Sequence, residues 1–188
     1  MFYSEYDMFY RIPCMPSYGY MGYGSKVTYK KLEYALSLVK KAVEGEKEDE
    51  LFYDYLISVA PTKEEKDMIK SIRNDERKHF KMFRKIYKDF TGKDIKLSDK
   101  VTFKKPKSYI KGIKKALFGE LSAVEKYRDI RAGLSYRYYR DMVFEIITDE
   151  FKHSGKYNYI LNINCCNMNM NYNDKVEIDS ISNGWILY

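Results

Sequence analysis

The sequence predicts an all-α fold, a four-helix bundle built from two repeated helical hairpins that one long crossover joins. Three observations lead there: seams of apolar residues at alternating spacings of three and four, turn signals that cut the chain into four such stretches, and a second half that repeats the first.

The first stretch carries Leu32, Leu36, Val39, Val43, Glu46, Glu50, Tyr53, Ile57 and Ala60 along one helical stripe. Pro61 ends it, because proline has no amide hydrogen and clashes with the preceding turn. Thr62, with Glu65 three residues on, predicts a capping box that opens the second stretch. That stretch runs through Ile69, Ile72, Glu76, His79, Phe83, Ile86 and Phe90, and Gly92 supplies its C-terminal stop. The third runs through Tyr109, Ile113, Ala116, Glu120, Ala123, Tyr127, Ile130 and Leu134, with Gly133 and Ser135 marking a turn. The fourth runs through Tyr139, Met142, Ile146, Glu150, His153, Tyr157 and Ile160.

The repeat is direct. "GEKEDELFY" (45–53) aligns with "GELSAVEKY" (119–127), and "MIKSIRNDERKH" (68–79) with "MVFEIITDEFKH" (142–153), both at an offset of 74 residues. Short turns make each pair of stretches antiparallel. About fifteen residues separate the second stretch from the third, enough to extend roughly 50 Å and run the length of a helix of about 45 Å. That length predicts the crossover of a bundle with one long connection.

Composition narrows the rest. A chain of 188 residues is long enough to bury one core, and 32% charged residues against 45% hydrophobic describe helices with solvated faces. No apolar run approaches a membrane span, and the first residues lack the apolar stretch and small-residue cleavage site of a secretory signal, so we expect no membrane association and a cytoplasmic protein. Cys14, Cys165 and Cys166 form no CxxC pair, which argues against a disulfide framework or a cysteine-bound metal. The net charge of +7 is densest over residues 92–107, but no recognition motif accompanies it, so we expect no nucleic-acid partner. Residues 1–27, with six tyrosines among Gly, Met and Pro, read as a mobile arm. Residues 28–162 form the predicted bundle. From Asn162 the helical pattern lapses, and residues 163–188 read as a frayed helix end and an Asn-rich tail without an assigned role.

The chain has two histidines, and each stands three residues after a glutamate in near-identical pentapeptides, "DERKH" (75–79) and "DEFKH" (149–153). Three residues along a helix keeps both side chains on one face. Each glutamate is matched by another 30 residues upstream, Glu46 for Glu76 and Glu120 for Glu150. Glu46 and Glu76 each lie roughly 21 Å from the turn between them, so the hairpin sets them at one level, and the second hairpin does the same. Four carboxylates and two imidazoles then converge on apolar seams. Unpaired ions buried together are costly, and two divalent cations remove the cost by balancing the four negative charges.

This pattern resembles the ferritin-like di-iron carboxylate superfamily, and within it the rubrerythrin branch, over roughly residues 28–162. The resemblance makes the predicted fold a ferritin-like four-helix bundle. It implies Glu46, Glu76, His79, Glu120, Glu150 and His153 as ligands of two iron ions, with manganese suited to the same mixed oxygen and nitrogen shell. Tyr53 and Tyr127 resemble the family's tyrosines that hydrogen-bond to ligand carboxylates. Two departures stand out. Rubrerythrins carry an extra glutamate three residues after the second-half ligand, where this chain has Ala123. The first-half counterpart is Asp49, with Glu50 beside it, which leaves a seventh carboxylate from that side or none. The sequence also lacks the paired CxxC knuckles of a rubredoxin, so electrons are expected from a separate donor such as a rubredoxin-type protein. The activity that the resemblance implies is reduction of hydrogen peroxide, with ferroxidation by dioxygen and a structural, coat-type role as the alternatives. Ferritin-like bundles also lead us to expect a homodimer or a higher homo-oligomer.

Overall fold

The computed structural model describes residues 28–97, 101 and 103–182, with side chains through residue 165. The tyrosine-rich arm lies outside the described residues, as do the side chains of Cys166, Met168 and Met170. The described chain forms five α-helices: α1 (Tyr29–Glu44), α2 (Glu46–Val59), α3 (Lys63–Thr91), α4 (Tyr109–Gly133) and α5 (Arg137–Ser182). The fold is all-α with bundle packing. Helices α1 and α2 together form the first rod and pack on α3, α4 packs on α5, and α1–α4 and α3–α5 contacts join the halves.

The caps explain most boundaries. Thr28, Thr62 and Ser108 each accept an amide of the first turn, from Lys31, Glu65 and Lys111. The predicted box at Thr62 forms in altered shape. Its hydroxyl lies 3.1 Å from Glu65 Oε1, while Glu65 Oε2 accepts from Tyr109 at 2.6 Å and Asn164 at 3.1 Å. Glu65 thereby ties the start of α3 to α4 and α5. Gly92 ends α3 at φ 68°, in the left-handed region that glycine enters without strain.

Two features differ from the sequence reading. The first predicted helix is divided at Gly45, whose ψ of −13° departs from helical geometry. After the interruption Tyr53 and Ala60 are buried as expected, but Phe52 and Leu56 join them in place of Glu46, Glu50 and Ile57. The fourth helix also does not stop near Asn162, and its backbone continues to Ser182. No proline or glycine stands between Gly155 and Gly184 to break it, and side-chain polarity alone does not end a helix.

The interior has two apolar clusters with a polar band between them. One contains Val39, Val43, Phe83, Ile86, Ile130 and Ile146. The other contains Phe52, Leu56, Ile69, Ile72, Tyr157 and Ile160. Between them the buried positions of α3, α4 and α5 include Glu76, His79, Glu120, Glu150 and His153. The crossover reaches from one cluster to the other: Ile95 and Leu97 pack on the first, and Phe103 on the second, with its ring 6.3 Å from Phe52 and 5.9 Å from Tyr55. No described helix is long and apolar enough to cross a membrane.

Candidate metal centre

Helix α3 supplies Glu76 and His79 from consecutive turns of its buried face, and α5 supplies Glu150 and His153 in the same way. Glu120 joins them from the middle of α4. All five are at most 7% exposed, which for three carboxylates and two imidazoles demands a counter-charge. One donor atom each from Glu76, Glu120, Glu150 and His153 lies within 4.8 Å of the others. His79 closes the group, with Nδ1 3.2 Å from Glu150 Oε1 and 3.7 Å from Glu76 Oε1. His153 Nδ1 lies 3.2 Å from Glu76, 3.4 Å from Glu150 and 3.9 Å from Glu120.

These approaches are close but not aligned as hydrogen bonds. Glu76 Oε1, both oxygens of Glu150 and the Nδ1 atoms of both histidines are buried without a hydrogen-bond partner. Buried polar atoms are rarely left so, and the exceptions point to an ion.

The outer ring nitrogens are engaged, and the engagement crosses between halves. His79 Nε2 lies 3.0 Å from Asp149 Oδ2, and His153 Nε2 lies 3.1 Å from Asp75 Oδ2. A proton on each Nε2, donated to the aspartate, leaves the Nδ1 lone pair directed into the cluster, the arrangement that metal-binding histidines use. Asp75 and Asp149 open the two repeated pentapeptides. Their importance was not drawn from the sequence, because an acid next to lysines on a helix reads as a solvated group. The repeat itself was the available signal, since both aspartates recur at the same offset.

The electrostatics describe a cage in which protons hold the places of cations. Burial works against a charged His79, yet the carboxylates of Glu150 and Glu76 carry its pKa up to about 10. Burial likewise opposes charge on His153, and Glu120, Glu150 and Glu76 push it up to about 12. Burial raises Glu120 well above the carboxylate range, with the Glu150 and Glu76 charges adding to it. Glu150 goes the other way: burial opposes its charge, but His153 and His79 hold it below its usual value.

Of the predicted ligands, Glu46 stands apart from this group. Its carboxylate is paired with the Arg84 guanidinium on the outer side of α2 and α3. Glu50 pairs with Arg77 and Asp54 with Arg73, so positions 46, 50 and 54 form one outward stripe facing an arginine row. The second hairpin has Phe151 and Asn158 where the first has Arg77 and Arg84, a difference visible in the repeat. The buried stripe of α2 is Phe52, Tyr53 and Leu56, and the exposed Asp49 stands one turn before it on the same face.

A cavity of about 460 Å³ reaches the carboxylates from the side away from the histidines, lined by Asp49, Tyr53, Glu76, Glu120, Tyr127 and Glu150. Asp49 is solvent-accessible, yet the enclosure around its carboxyl, with the charge of Glu76 next, pushes its pKa up to about 7. The Tyr53 hydroxyl donates to Glu120 Oε1 at 3.3 Å, a contact between the two halves. Tyr127 lines the same cavity and packs at a tilt against Phe83, with ring centroids 4.9 Å apart.

The sequence profile of the rubrerythrin family matches residues 37–161, about two-thirds of the chain. The chain belongs to the rubrerythrin family. Two solved structures share the fold. A conserved hypothetical protein from Mycobacterium tuberculosis is 10% identical, with a TM-score of 0.60 over 70% of this chain and 93% of that one. A hypothetical protein from Pyrococcus furiosus is 21% identical, with a TM-score of 0.57 over 70% of this chain and 89% of that one. No functionally curated protein matches. The buried Glu and His cluster of this rubrerythrin-family bundle suits a metal: the donors are oxygen and imidazole nitrogen, the types that iron and manganese accept, and the orphaned atoms point inward.

Proposed function

We propose that the cluster holds two iron ions and that the protein reduces hydrogen peroxide, taking electrons from a separate donor of rubredoxin type. The observation that carries the reading is the set of unpaired, fully buried donor atoms on Glu76, His79, Glu150 and His153, which nothing in the described protein satisfies. Peroxide as the oxidant follows from family membership rather than from the cavity. When bound, a ferrous pair supplies two electrons, enough with two protons to convert one peroxide to two waters.

The chain's own groups do the rest. Glu76 and Glu150 hold negative charge at the centre of the bundle, and the Nδ1 atoms of His79 and His153 offer neutral nitrogen once deprotonated. Glu120 and the Tyr53 hydroxyl that donates to its Oε1 form a hydrogen-bonded pair at the cavity floor. They are placed to give protons to a small oxidant that enters there. The aromatic and aliphatic clusters bound the band on either side.

Anaerobic stopped-flow mixing of the iron-loaded protein with peroxide tests the activity. We expect ferrous oxidation well above the rate of free iron, and a rate equal to free iron would refute it. A ferroxidase would instead accumulate many ferric ions per chain, so iron stoichiometry after repeated turnover separates the two.

A further inference from the structure

The two-metal reading requires a carboxylate from the first hairpin. Glu76, Glu120 and Glu150 bring three negative charges to the buried group, one short of balancing two divalent cations. The repeat nominates Glu46 for the fourth, but Glu46 belongs to the outward stripe of α2 and is neutralised by Arg84. Turning it inward would strand a guanidinium whose partner it is.

We propose that Asp49, rather than Glu46, is the carboxylate that the first hairpin gives to the metal pair. The inference rests on the two-metal reading above. Asp49, exposed at the cavity mouth, lies three and four residues before the buried Phe52 and Tyr53, the spacings that keep side chains on one helix face. It lines the same cavity as Glu76, Glu120 and Glu150. Across that cavity α4 presents Gly119 and Ala123, flanked by Lys115 and Lys126, and a Cβ added at Gly119 would meet nothing within 4 Å, so this stretch of α4 leaves room beside the carboxylates. By the 74-residue offset Asp49 is the counterpart of Ala123. The extra carboxylate that the second half lacks is therefore present in the first half, at the equivalent position. An aspartate is one methylene shorter than a glutamate, which suits a helix whose stripe already points at the site.

The test is metal binding, read without turnover. Cobalt(II) is titrated into wild-type protein and the variants Asp49→Asn, Asp49→Glu and Glu46→Gln, following stoichiometry and the visible ligand-field spectrum, with circular dichroism verifying helix content. For Asp49→Asn we expect affinity for one of the two ions to fall about tenfold or more, as loss of a ligand should cost at least what loss of a ligand's hydrogen-bond partner does. Asp49→Glu should restore binding with an altered spectrum, and Glu46→Gln should bind as wild type. Unchanged binding in Asp49→Asn, or a loss in Glu46→Gln as large as in Asp49→Asn, would overturn the assignment while leaving the metal centre intact. Wild-type protein that binds no cobalt, iron or manganese would overturn both this assignment and the function proposed above.

Discussion

At the scale of single residues, the cage depends on groups that never face its centre. Asp149 accepts from His79 and Lys152, and Asp75 from His153 and Lys152, so one lysine bridges the two aspartates that orient the two imidazoles. Without the aspartate, either ring nitrogen can carry the proton, and the Nδ1 lone pair is no longer fixed toward the cluster. Asp149→Ala and Asp75→Ala should each weaken metal binding by about 10- to 100-fold with helix content unchanged. Competition against a chromophoric chelator measures this, and unchanged affinity in both would show that the crossing bonds are incidental. Every atom of this arrangement lies in the two repeated pentapeptides, so its residues were legible in the sequence. What was not legible is the pairing, because the contact runs from α3 to α5 and only the packed bundle brings Asp149 to His79.

At the scale of elements, glycines separate helix contacts that are full from those that are open. Gly133, at the end of α4, is buried, and a Cβ there would sit 2.6 Å from the Ala35 side chain and 2.6 Å from the Lys31 carbonyl oxygen of α1. A backbone carbonyl inside a helix cannot move aside cheaply, so Gly133→Ala should destabilise by about 1–3 kcal/mol through overpacking. Gly155, in the middle of α5, has open space around its Cβ position, and Gly155→Ala should stabilise by about 0.5–1 kcal/mol from helix propensity alone. Urea midpoints at constant slope measure both, and equal effects of one sign would contradict the packing of α4 on α1. The same elements show where periodicity stops being informative. The seams of α3, α4 and α5 follow the expected residues through Glu76, Glu120 and Glu150. Helix α2 does not, since Gly45 resets its phase by about one position and Arg73, Arg77 and Arg84 draw its carboxylates outward. A one-residue change of helical phase is a rotation of about 100°, which moves Glu46 off the seam and brings Phe52 and Leu56 onto it.

At the scale of the whole molecule, the polar band makes stability depend on what fills it. Without metal, protons on His79 and His153 offset the buried carboxylates, and burial with the neighbouring charges raises Glu120. The sign follows from the shifts. A histidine raised from 6.5 to about 10, as His79 is, adds stability that is complete below pH 6.5 and is lost as pH rises toward 10, and His153 extends the loss toward about 12. Glu120 acts in the same direction, because its raised carboxyl resists the charge that high pH demands. Asp75, Asp149 and Glu150 are lowered below their usual values despite burial, by His153, His79 and Lys152, so their contribution is present above about pH 4 and is lost on further acidification. The metal-free protein should therefore be most stable near about pH 4.5, because the raised carboxyls of Glu120 and Asp49 begin the loss above their ordinary values, and its thermal midpoint should fall further from pH 6.5 to 9. Metal reverses the upper limb. Binding requires deprotonated ligands, so affinity rises with pH, and metal at about 100 times its dissociation constant adds about 2.7 kcal/mol. Thermal melts of chelator-treated and iron-loaded protein across pH 5–9 should diverge as pH rises. Parallel curves would mean that no metal replaces those protons, and a metal-free curve rising from pH 6.5 to 9 would mean that His79 and His153 are not charged in the empty bundle.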